Sequence, residues 1–185
     1  MIEIVAYRSA WPEEFQRISA LLSRSLGAAA ERIDHIGSTS VPGLCAKDVI
    51  DIQLTVTALE PGIAQRLSAL GFKRYADIQG DHVPPGCDGP AENWAKYFFT
   101  QPDGERRINL HVREAGRPNQ RYALLFRDHL RAHPATAAAF GELKRRLAAG
   151  LADEDCYPDV KDPAVDLIYF AAEAWAAQTA WSIES

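Results

Sequence analysis

The chain has 185 residues, of which 47% are hydrophobic and 24% charged, with a net charge of -5. This fits one folded domain with a real core, and the acidic balance argues against a dedicated nucleic-acid or anionic-membrane binder, whose footprint is usually basic. Cys45, Cys87 and Cys156 are too scattered for a disulfide framework or a zinc site, no apolar run approaches a membrane span, and the first residues lack a secretory pattern, so a cytoplasmic setting is expected.

In chain order, Trp11, Phe15, Ile18, Leu22 and Leu26 recur at helical spacing and predict a helix over 11–26. A short strand is expected over 30–36, followed at once by a Gly-Ser turn. The clearest strand is 48–56, where Val49, Asp51, Gln53 and Thr55 share one face and Ile50, Ile52, Leu54 and Val56 the other. A helix follows at 61–70, stopped by Gly71, and a strand is expected over 72–76. Residues 77–92 are rich in Gly and Pro and read as a long loop, either a lid or a mobile insertion. Strands return at 94–100 and 106–113 across the Pro102-Asp103-Gly104 turn. On the second, Arg107, Asn109, His111 and Arg113 share a face. Helices are predicted over 117–132, 135–150 and 163–181, with Pro118, Pro134 and Pro163 near their starts. The alternation of strands and helices, then helices alone, points to an α/β or α+β mixed sheet flanked by helices. One domain spans 1–185, its sheet part about 1–116 and its helical part about 117–185.

The segment His35-Ile-Gly-Ser-Thr-Ser-Val-Pro-Gly-Leu and the strand that follows carry the chemistry. Gly37, Ser38 and Ser40 offer backbone N–H groups and hydroxyls of the kind that hold phosphate; an ordinary capped turn is the plainer reading. Asp51 lies in an apolar strand and must find water, donors or a cation, with Mg²⁺ bridging to phosphate as the functional reading. Gln53 could add a carbonyl oxygen. Lys47 precedes the strand and could neutralise phosphate charge, although a lone loop lysine is usually solvated. Arg107 and His111 could bind an anion, or the face they share could simply be exposed. His35 and Asn109 are further cleft candidates. His129 and His133 are four apart but lack the Glu of a metalloprotease helix and carry little weight as a metal site.

These residues resemble the GrpB family. The resemblance runs through Gly37-Ser38, Ala46-Lys47 and Ile50-Asp51-Ile52, then Asn109-Leu-His-Val112, the segment from Leu125 to Pro134, Leu143-Lys144, and Tyr157 with Lys161. It implies a nucleotidyltransferase-like fold and a domain that also occurs fused to dephospho-CoA kinases. It brings Lys161 into the expected cleft, with a nucleoside triphosphate and Mg²⁺ as expected ligands. The superfamily places two acids on the first strand and a third on a later one. Here Gln53 stands for the second, the Asn109–His111 strand supplies no third, and Asp48 stands where the family usually has Pro. Two-metal transfer needs those charges. The expectation is therefore a nucleotide or phosphorylated small molecule as ligand. Transferase chemistry and an accessory interaction domain are the alternatives, and no catalytic residue is assigned.

Overall fold

A computed structural model describes residues 2–183. Its centre is a five-stranded mixed sheet in the order β1-β2-β5-β4-β3, made of β1 (Arg32–Ile36), β2 (Ile50–Val56), β3 (Lys73–Arg74), β4 (Tyr97–Thr100) and β5 (Ile108–Glu114). β2 runs parallel to β5, and the other pairs are antiparallel. The strands are shorter at their starts than the alternation suggested. Asp48 is bonded to Arg8, Trp11 and Arg106 before β2 begins, and Trp94 closes a short 3₁₀ turn ahead of β4. Asp48 is thus a hub that ties Arg8, Trp11 and Arg106 to the start of β2.

The apolar face of the sheet explains its first helical layer. Ile50, Ile52, Leu54 and Val56 lie beside Ile108, Leu110 and Val112, all buried. Trp11, Ile18, Leu22 and Leu26 of α1 (Ala10–Leu26) cover them together with Ile63 and Leu67 of α2 (Pro61–Ala69). α1 ends at Gly27, whose φ of 55° turns the chain away.

The opposite face is polar, and three further helices cover it. They are α3 (Pro118–Ala132), α4 (Pro134–Gly150) and α5 (Tyr157–Thr179). Pro134 has no N–H to continue α3, so His133 alone joins α3 to α4. α5 was expected to begin near Pro163. It begins at Tyr157 with Pro158 in its first turn, and Pro163 lies inside it. The backbone bond lost at Pro163 is offset by burial on both sides, at Tyr157 before it and at Asp166, Tyr169, Ala172 and Ala176 after it. This longer helix puts Tyr157, Lys161 and Val165 on one wall of a cleft. The polar face of β2 and β5 is therefore no exposed sheet surface: Gln53, Thr55 and Arg113 are all buried.

Candidate functional site

The cleft begins with strand register. Ile36 lies opposite Asp51, so the Gly37-Ser38 turn leaves β1 directly against the Asp51 carboxyl. Gly37 has φ 66° and ψ -172°, a region nearly confined to glycine, and a Cβ there would overlap Asp51. Ser40 Oγ donates to the Gly37 carbonyl at 2.6 Å. From α3, Arg131 donates to the Ser40 carbonyl at 2.8 and 3.0 Å, and Arg127 to the His35 carbonyl at 3.2 Å. The turn is thus held from within and from the helical layer.

Asn109 lies opposite Asp51 on parallel β5, and its Nδ2 donates to Asp51 Oδ1 at 2.8 Å. Burial pushes the Asp51 carboxyl above its ordinary pKa, although Asn109 and the charges of Lys161 and Lys144 oppose this. Lys144 reaches in from α4. It is only 4% exposed, and its Nζ donates to Ser38 Oγ at 2.8 Å and to the Cys45 carbonyl at 2.5 Å. Burial lowers its pKa to about 8, so it is largely charged at neutral pH. Gly141 makes this reach possible: a Cβ there would press on Cys45 Sγ and Leu44 at 3.1 and 3.2 Å.

Lys47 lies over the Tyr157 ring at 4.0 Å, and Lys161 stands one turn along α5 from Tyr157. The resulting cleft has a volume of about 290 Å³. Ser38, Lys47, Asp51, Asn109, Lys144 and Lys161 supply its polar lining, while Phe126, Phe140, Tyr157 and Val165 supply its apolar wall. Among the described residues three lysines thus share this lining with one carboxylate. Such a lining suits an anion with an apolar part.

Several expected site residues lie elsewhere. His35 points to the other side of the sheet, because its cross-strand partner is Ile52. It stacks on Phe15 of α1 and bonds Thr39 at 3.0 Å. Ser40 spends its hydroxyl on the turn. Gln53 is fully buried, with its oxygen accepting from Arg113 at 2.6 Å and its amide donating to the Gln120 carbonyl at 3.1 Å, so its oxygen already serves a protein cation. Arg107 is exposed, just ahead of β5, and is not part of the cleft lining.

His111 shares the Asp51 face but stands one pair further along, opposite Gln53. There it joins a second polar cluster centred on Asp81. The Asp81 carboxylate accepts from Arg113 at 2.8 and 2.9 Å, from Lys96 at 2.6 Å and from Asn119 at 3.1 Å. Asp81 belongs to the Gly/Pro-rich loop. His82 beside it bonds both oxygens of Asp166 on α5 at 3.0 Å. The loop is pinned to the sheet and to α5, unlike a free lid.

Lys144, Arg127 and Arg131 had no assigned role from sequence. One signal was present for Lys144: Ala137, Phe140, Gly141 and Lys144 form the buried stripe of α4, and a lysine on such a stripe must find partners.

A family model described as GrpB protein matches residues 1–170. The chain belongs to the GrpB family. It is similar to the conserved protein GrpB from Enterococcus faecalis, whose crystal structure superposes with a TM-score of 0.75 at 27% identity over 94% of this chain and 99% of that one. A UPF0157 protein of Halalkalibacterium halodurans is 35% identical over 151 residues, which covers 80% of this chain and 69% of that protein. The dephospho-CoA kinase of Mycobacterium leprae is 36% identical over 193 residues, covering 94% of this chain and 47% of the kinase. The chain therefore spans about half the length of the kinases it matches. Within this GrpB domain no described helix is long and apolar enough to cross a membrane.

Proposed function

We propose that this protein binds a phosphorylated small molecule, with a nucleotide as the leading class, in the cleft between the sheet and α4 and α5. The observation that carries this reading is the set of three lysines and the Ser38 hydroxyl around one carboxylate. Backbone turns with hydroxyls and ammonium groups are a common way to hold phosphate. The aromatic wall offers apolar contact to the rest of the ligand. The relatives named dephospho-CoA kinase carry a similar segment as about half their length, which supports a role for this domain beside such an enzyme.

Nucleotidyl or phosphoryl transfer is a second reading, favoured by the position of Asp51 against the Gly37-Ser38 turn. An accessory interaction domain without a small ligand is the third. A ligand that binds only the folded state raises its melting temperature. Millimolar nucleotides are expected to raise it, and Lys161→Gln is expected to remove most of the shift. No shift with any common nucleotide or phosphorylated metabolite overturns both ligand readings. Where binding is seen, incubation with labelled nucleotide and a metabolite extract separates them, since transfer requires a labelled product.

A further inference from the structure

The resemblance implies Mg²⁺ at Asp51, but the residues around Asp51 do not fit a divalent cation. Mg²⁺ seeks six oxygens in near-octahedral geometry and is usually bound through one or two carboxylates plus waters and substrate phosphates. Among the described residues the cleft lining contains a single carboxylate. One of its oxygens already accepts the Asn109 amide at 2.8 Å. The next polar side chain on the same strand face, Gln53, has its oxygen occupied by the Arg113 guanidinium at 2.6 Å. That places a protein cation where a metal-binding strand would offer a second ligand. No group of three or more His, Cys, Asp or Glu suited to a metal exists among the described residues. Instead Lys144 and Lys161 lie close enough to act on the Asp51 charge, and Lys47 completes the lining. A dication would enter against three ammonium groups.

We propose that this cleft holds the phosphate of its ligand without a divalent cation, the Lys144 and Lys161 ammonium groups supplying the countercharge and Ser38 a hydrogen bond. The inference rests on the phosphorylated-ligand reading of the cleft. Ser38 Oγ accepts from Lys144 Nζ, so the hydroxyl proton remains to be donated to a phosphate oxygen. Lys144 is itself fixed by the Cys45 carbonyl, so its charge is pre-positioned. Asp51 then takes a role opposite to that of a metal ligand. It is the one carboxylate among the described residues that line the cleft, so a bound phosphate meets its charge directly, and removing it strengthens binding.

The test is calorimetric titration of the full chain with ATP, AMP and inorganic pyrophosphate, in EDTA and in excess MgCl₂ at equal ionic strength. At least one probe is expected to bind in EDTA as tightly as, or more tightly than, in MgCl₂. Asp51→Asn preserves shape and is expected to bind that probe about tenfold more tightly, on the scale of removing one nearby like charge. Lys144→Met is expected to weaken binding at least tenfold. Because Lys144 is buried and that variant could lose structure, Lys161→Gln is the parallel test, with folding checked by circular dichroism. Binding seen only in MgCl₂, or lost in a folded Asp51→Asn, overturns the metal-free site and leaves the phosphate reading standing. No binding of any probe in either buffer overturns both.

Discussion

At the scale of single residues, Gly37 is required for two separable reasons. Its backbone conformation suits glycine, and its Cα lies where a side chain would strike Asp51. Gly27 shares only the first feature: its φ is 55°, but an added Cβ meets nothing within 4 Å. Gly37→Ala is expected to cost about 3 kcal/mol from backbone strain plus overlap, and Gly27→Ala about 1–2 kcal/mol from strain alone. Urea denaturation midpoints measure both, and equal losses would mean that the Asp51 contact is irrelevant. His35 gives a pH prediction. Burial, then the charges of Arg131 and Arg127, lower its pKa to about 4. The unfolded chain therefore binds a proton at His35 between its ordinary value near 6.5 and about 4, while the folded chain does not. Stability on this account is full above pH 6.5 and is lost as the pH falls toward 4. His35→Gln should flatten that part of a melting-temperature profile; an unchanged slope would remove His35 as its cause.

Among the elements, the loop over 77–92 shows how composition can mislead. Its glycines and prolines suggest a lid or a mobile insertion, yet His82 ties it to Asp166 and the Asp81 carboxylate fastens it to the sheet. Asp81 neutralises Arg113 and Lys96, both almost wholly buried. Burial opposes ionisation of Asp81, but the charges and hydrogen bonds of Arg113, then Lys96, hold its carboxyl well below the usual range. Removing one partner of such a group leaves uncompensated buried charge, which costs about 3–5 kcal/mol. Asp81→Ala is expected to lose that much stability and to expose the loop to faster hydrogen exchange and protease cleavage. A variant with wild-type stability and loop protection would show that the backbone contacts Asp81–Trp94 and Lys96–Gln79 suffice. α5 makes a related point. Pro163 looked like a helix start, but Tyr157 and Pro158 begin the helix two turns earlier, and that displacement carries Lys161 to the cleft.

On the scale of the whole molecule, the cleft belongs to no single element. Asp51 and Asn109 form its floor from β2 and β5, Gly37 and Ser38 come from the turn after β1, and Lys144 and Lys161 descend from α4 and α5. The charges that favour an anion are thus brought together by the packing of the helical layer onto the polar sheet face. Much of the frame follows from sequence alone. Alternation in 48–56 and 106–113 separates a polar from an apolar face, Gly71 and Pro134 mark element ends, and Gly37, Ser38 and Asp51 mark one candidate site. These are local properties, set by backbone sterics and by a two-residue period. Register and packing are not local. A one-residue difference in pairing decides that Ile36, and not His35, shares the face of Asp51. The same packing gives Gln53 to Arg113 and brings Lys144 to Ser38 across 106 positions of chain. Tertiary structure decided the sign of the site's charge, because burial makes each polar group take whichever partner the fold brings within reach.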